Sequence, residues 1–157
     1  MIIGIGLDVV HVDRLERWRK TPGLLERFFN KEELEAALSR GSGATLSLAA
    51  RFAAKEAFGK AIGTGLSGIT LKNILVYNNH NGKPCMKLFG NAREALERAG
   101  GEIIHLSLTH ERDNALAMIV IEGIEPTKFQ GIEPTKFQGI EPTKFQGGTH
   151  GDGKADR

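Results

Sequence analysis

A carboxylate, Asp8, interrupts the apolar run MIIGIGLDVV at the N-terminus. In an extended strand Ile3, Ile5, Leu7 and Val9 point one way, and Ile2, Gly4, Gly6, Asp8 and Val10 the other. A strand apolar on both faces belongs in a core. A carboxylate there is costly unless it is paired or holds a metal. Ending the strand or capping the next turn is the other reading of Asp8, and both stand. A second carboxylate, Glu56, lies in ATLSLAARFAAKEAFGKAIG, whose composition predicts a helix. At 100° per residue, Ala49, Phe52, Ala53, Lys60 and Gly63 fall within about 60° of Glu56. Small neighbours leave room for a ligand to approach Glu56 and Lys60. A plain i,i+4 salt bridge between the two accounts for them equally well.

Arg51 and Lys55 form a second, wholly cationic ridge on the same helix. Like charges at i,i+4 repel mildly unless an anion joins them. Gly63, Gly65 and Gly68 spell G-x-G-x-x-G, the glycine pattern of a dinucleotide site. That fingerprint needs a strand before it and a helix after. Here the order is reversed, so the dinucleotide reading fails, although loop glycines still expose backbone N–H groups to phosphate. In HLSLTH, His105, Ser107 and Thr109 share a strand face, and His110 is read at the start of the turn. A histidine there suits acid–base work or is simply a surface residue.

The elements that position these residues follow from the pattern. Met1–Val10 reads as a strand and Val12–Lys20 as a helix, stopped by Thr21-Pro22-Gly23. Asn30-Lys31-Glu32-Glu33 is a capping box for a short helix to Ser39. Thr45–Ile62 is the long helix, and Ile69–Asn78 a strand. A turn at Asn79–Pro84 leads to a strand at Cys85–Phe89 and a helix at Asn91–Ala99. Ile103–His110 and Ala115–Glu122 close as a hairpin around Glu111–Asn114. Helices and hairpin-linked strands are segregated, which predicts an α+β domain with a largely antiparallel sheet packed on a long central helix. This domain spans 1–123. Beyond it IEPTKFQG occurs three times in succession over 124–147. Eight residues are too few for a packing unit, so 124–157 is expected to be a flexible tail.

Composition narrows the function classes. A formal charge of +2 excludes the clustered excess of a generic nucleic-acid binder. One cysteine, Cys85, allows no intrachain disulfide. No apolar run is long enough to span a membrane, and no signal-peptide pattern opens the chain, so a cytoplasmic location is expected.

The combination of segments resembles one family. GIGLDVVHVDRLE at 4–16, RFAAKEAFGKAIGTG at 51–65, NGKP at 81–84 and LSLTHERDNALAMIVIE at 106–122 are similar to the holo-acyl-carrier-protein synthases. These are the small bacterial 4′-phosphopantetheinyl transferases. The resemblance covers about Met1 to Glu122 and leaves the repeats outside. It implies a 4′-phosphopantetheinyl transferase-like fold. The reaction it implies moves phosphopantetheine from coenzyme A to a serine of apo-acyl carrier protein, for fatty-acid synthesis. Asp8 and Glu56 match the family's Mg²⁺ carboxylates, and Lys60 its signature lysine. Arg51 and Lys55 match positions near coenzyme A phosphates. Gly63, Thr64, Gly65, Lys83, Pro84 and His110 match nucleotide-contacting stretches. Arg14 matches a contact to the acidic carrier protein, and Arg17 and Arg27 extend that basic surface. The resemblance also implies a homotrimer with active sites between subunits. Transfer to carriers of polyketide or peptide synthases is an alternative with the same chemistry. A non-catalytic coenzyme A-binding protein is an alternative without it.

Overall fold

The structure is a computed structural model, and it describes residues 1–123. The repeat tract expected to be a flexible tail lies outside the described residues. Strand β1 (Ile2–His11) leads into helix α1 (Val12–Arg19), α2 (Leu24–Phe28) and α3 (Lys31–Leu38). The long helix α4 (Ala44–Ala61) follows, then β2 (Ile74–Asn78), β3 (Pro84–Leu88) and α5 (Gly90–Arg98). β4 (Ile103–Glu111) and β5 (Asn114–Glu122) close the domain. One antiparallel sheet has the order β1-β5-β4, and β2 and β3 pair as a separate antiparallel ribbon. The α+β architecture read from the pattern is the one observed.

Helix α4 is the centre of the core. Its alanines give it strong helix propensity and let other elements approach from several sides. Leu48, Phe52 and Phe58 are buried with Ala49, Ala53 and Ala57. Each fully buried Leu or Phe contributes about 1.5–3 kcal/mol. The sheet lies across α4 at unusually short range. A Cβ on Gly6 would stand 1.9 Å from the carbonyl oxygen of Ala57, and one on Gly4 would stand 2.0 Å from that of Ala61. Glycine at these two positions is therefore what allows β1 to touch the helix backbone.

Three features depart from the sequence expectations. Helix α2 was not anticipated. Its five residues carry no periodic stretch, and tertiary contact holds them: Phe28 stacks on Trp18 at 4.7 Å between ring centroids. The strand expected from Ile69 begins only at Ile74, after a 3₁₀ turn at Leu71–Asn73. Side chains satisfy the backbone there instead of a ladder. Asn91 accepts from the Thr70 N–H, and Lys55 donates to the carbonyls of Leu71 and Ile74. Finally, β1 is buried on one face only. Ile5, Leu7 and Val9 are 59%, 55% and 53% exposed, and Met118 on the adjoining β5 is 45% exposed.

The capping box forms as expected. Asn30 accepts from the Glu32 N–H, and Glu33 accepts from the Asn30 N–H at 3.2 Å. Gly6→Ala should lower stability by at least about 2 kcal/mol, because backbone rather than a flexible side chain opposes the added methyl. Urea denaturation measures this. A midpoint equal to that of the unsubstituted chain would mean that β1 and α4 separate at little cost.

Candidate active site

Asp8 lies two residues beyond Gly6 on the helix-facing side of β1, and its side chain is 14% exposed. The close strand–helix approach brings it to the face of α4 that carries Glu56 and Lys60. Lys60 donates from Nζ to Asp8 Oδ1 at 2.7 Å and to the Leu7 carbonyl at 3.0 Å. The i,i+4 bridge from Lys60 to Glu56 is not what forms. Glu56 makes no salt bridge among the described residues and is half-buried. Burial pushes its carboxyl above the ordinary range, and the neighbouring Asp8 carboxylate pushes it further. Arg14 and Lys60 pull it back in part. Arg14 is exposed but seated, with its guanidinium 4.8 Å from the ring centroids of both Trp18 and Phe52. Two carboxylates, an ammonium and a guanidinium thus converge from β1, α4 and α1.

A second cluster surrounds Arg51, which is buried. Its guanidinium donates to the backbone carbonyl and hydroxyl of Ser47 and to Asn78 Oδ1. It has no carboxylate partner among the described residues, and its Nε finds no hydrogen-bond partner. Burial lowers its pKa. Arg51 lines an open cleft of about 680 Å³ with Arg40, Ser47, Asn78, Pro84 and His110. His110 lies within β4, which runs on to Glu111, and not at the start of the turn. It faces the cleft beside Leu108, on the opposite side of the strand from His105. Glu56 lies five positions after Arg51, about 140° around the helix. The two clusters therefore occupy different faces of α4.

The other expected residues divide. Lys55 is corrected. It is fully buried, with its ammonium 2.7 Å from Glu33 Oε2. Two backbone carbonyls take its remaining donors, so none is left for a phosphate. Glu33 is the anion that answers Lys55 on this ridge, and it makes no salt bridge to Arg51. Gly63, Thr64 and Gly65 form an exposed loop just past Lys60. Gly63 and Gly65 have φ of 78° and 63°, and the Gly65 N–H returns to the Gly59 carbonyl at 3.0 Å. Pro84 lines the Arg51 cleft, whereas Lys83 is exposed and does not. Arg17 and Arg27 are exposed and free of salt bridges among the described residues, while Arg19 and Lys20 pair with Glu16. Sequence reasoning missed Arg40, Ser47 and Asn78 in the cleft, and Glu33 in the core. Glu33 carries a local cap signature, which hides its second, distant partner.

Ionised Glu56 should cost the metal-free fold stability at neutral pH. A carboxyl raised in the folded state contributes stability that is whole below its unfolded value of 4.5 and lost as pH rises through the folded value. Glu56→Gln should accordingly be more stable than the unsubstituted chain at pH 7, with the gain disappearing below about pH 4.5. Thermal melts in chelator across that range would show it. A gain independent of pH would exclude ionisation as its cause.

Comparison with known proteins gives one consistent answer. Residues 4–118 match the model of the 4′-phosphopantetheinyl transferase superfamily. The chain is 61% identical over 123 residues to a holo-[acyl-carrier-protein] synthase of Treponema denticola, covering 78% of this chain and 100% of that one. The crystal structure of the Neisseria meningitidis holo-[acyl-carrier-protein] synthase matches with a TM-score of 0.70 and 39% identity, over 78% of this chain and 99% of that one. A Bacillus anthracis holo-(acyl-carrier-protein) synthase solved in complex with CoA (3′,5′-ADP) matches with a TM-score of 0.66 and 34% identity, over 79% and 99%. With two carboxylates and a lysine gathered between β1 and α4, and with relatives of one kind spanning the whole described domain, the chain belongs to the holo-acyl-carrier-protein synthase family of the 4′-phosphopantetheinyl transferase superfamily.

Proposed function

We propose that the chain transfers 4′-phosphopantetheine from coenzyme A to a serine of apo-acyl carrier protein, using Mg²⁺ held by Asp8 and Glu56. The observation that carries this reading is the meeting of Asp8, Glu56 and Lys60. The serine oxygen gives up its proton to a general base and attacks the pyrophosphate phosphorus attached to pantetheine, and adenosine 3′,5′-bisphosphate leaves with the electron pair of the broken P–O bond. The pair of carboxylates fits a hard divalent cation. Mg²⁺ commonly takes one or two protein carboxylates and completes its shell with phosphate and water. Bound there, Mg²⁺ would supply charge neutralisation at the phosphoryl oxygens. Lys60, already 2.7 Å from Asp8, is placed to neutralise an oxygen of the same group.

Arg51, with an unused Nε–H and no carboxylate partner, suits a coenzyme A phosphate, and the cleft around it suits the nucleotide. Arg14, Arg17 and Arg27 give an acidic carrier a basic landing surface and steer its approach. A cytoplasmic location belongs to the proposal, supported by a free, half-buried Cys85. No helix among the described residues is long and apolar enough to cross a membrane. Incubating apo-acyl carrier protein with coenzyme A, Mg²⁺ and the chain should add one phosphopantetheine, read by mass spectrometry. Glu56→Gln should cut that rate at least about 100-fold, the upper end of what outer-shell changes alone cost at metal sites. No mass gain on a cognate carrier by folded protein would sink the reading.

A homotrimer with sites shared between subunits is the second part of the proposal. Two observations support it. The exposed apolar lane of Ile5, Leu7, Val9 and Met118 needs cover, and the two clusters lie on different faces of one helix. A neighbour's Arg51 cleft then completes the Asp8–Glu56 site. Asp8→Asn and Arg51→Ala chains should each be nearly inactive. Unfolded and refolded together in equal amounts, they should regain roughly a quarter of the unsubstituted activity, the random share of hybrid interfaces. A mixture no better than its parts would argue that each site is built within one subunit.

A further inference from the structure

We infer that the buried Glu33–Lys55 ion pair is a positioning device, which fixes the rotation of α4 and thereby aims Arg51 at the anion it binds. The inference rests on the reading of Arg51 as a coenzyme A phosphate ligand. Both side chains of the pair are fully buried and 2.7 Å apart. Lys55 Nζ also donates to the carbonyls of Leu71, at 2.9 Å, and Ile74. Glu33 accepts from the Val76 N–H through Oε1 at 3.3 Å and from the Asn30 N–H through Oε2 at 3.2 Å. One pair therefore joins the start of α3, the middle of α4 and the entry to β2.

Stability alone does not account for such a pair. Desolvating two charges costs several kcal/mol each, and apolar replacements of similar volume often do as well or better. What apolar groups cannot supply is direction. Lys55 lies one turn after Arg51 and directly before Glu56. Anchoring its ammonium to three acceptors fixes the azimuth of α4 at this level. A helix turned by 20° moves its side chains about 2 Å at the outer radius. Misplacement by 1 Å is enough to cost about 100-fold in rate. The pair also governs the other side of Arg51. Holding Ile74 and Val76 sets β2, and β2 ends at Asn78, whose Oδ1 takes a guanidinium N–H at 3.4 Å. Helix and brace are thus registered by the same two side chains. Neither of them lines the cleft.

Double-mutant cycles on the full chain test this, with coenzyme A affinity measured by titration calorimetry alongside kcat and urea stability. Glu33→Gln keeps an acceptor for Val76 but loses the charge. Glu33→Gln combined with Lys55→Met leaves no lone buried charge, whereas Lys55→Met alone leaves Glu33 buried and unpaired. Both should bind coenzyme A about 10-fold more weakly or worse, with the double variant no weaker than the Lys55 single. In an Arg51→Ala background Glu33→Gln should cost no further affinity. Wild-type affinity and kcat in the double variant would overturn the inference, as would a loss that persists undiminished without Arg51. A loss confined to Lys55→Met, with Glu33→Gln unaffected, would make Lys55 a direct phosphate ligand and overturn it too. If the unsubstituted chain bound no coenzyme A, the functional reading itself would fall, and this inference with it.

Discussion

The contact between the backbones of β1 and α4 is the constraint on which the rest depends. Gly4 and Gly6 let the strand lie against the carbonyls of Ala61 and Ala57. Any side chain there would hold the two elements apart. Their approach is what places Asp8 within reach of Lys60 and close enough to Glu56 for the two carboxylates to repel. The two glycines that precede Asp8 thus perform no chemistry, yet they set the separation of the groups that do. The alanines of α4 serve the same end from the other side, because a helix of larger residues would push the strand away.

Electrostatics divides the domain into a site where one carboxylate lacks a direct cationic partner and one where a guanidinium lacks a direct anionic partner. At the first, Glu56 has no salt-bridge partner among the described residues and shares its surroundings with Asp8, so positive charge from a ligand is favourable there. At the second, Arg51 is buried without a carboxylate, and Glu33 is committed to Lys55. On the proposed reading, a Mg²⁺-bound pyrophosphate with a further phosphate on the same molecule would answer both needs. The chemistry proposed for the chain therefore follows from its unmet charges as well as from its kinship.

Local signals were legible in the sequence and distant ones were not. The length of α4, the capping box at Asn30 and the closing hairpin depend on propensity and spacing, and each was readable. Helix α2 exists because Trp18 and Phe28 stack, a contact that no window across residues 24–28 contains. Lys60 had an obvious partner one turn away in Glu56 but takes Asp8 from the far end of the sequence. Lys55 looked like a phosphate ligand because its true partner sits on another helix, under the guise of a cap. For Lys60 the nearest opposite charge was the wrong guide. Burial decides which pairs form, and burial is a property of the fold.

The exposed face of β1 carries the argument one step further. Alternation in a sheet with one wet face should place polar residues on it, yet Ile5, Leu7 and Val9 are all apolar there. Strand β4, on the far side of β5, shows the usual pattern over most of its length, with His105, Ser107 and Thr109 outward. The apolar character is thus concentrated in a lane along β1 and β5, with Ile103 at the start of β4 as an outlier, and the inward side of that lane carries Asp8. Covering it with a second copy would remove that surface from water and bring a neighbour close to the carboxylates. Folding of the core, assembly of the chain and completion of the site would then draw on one strand, with alternate residues assigned to each task.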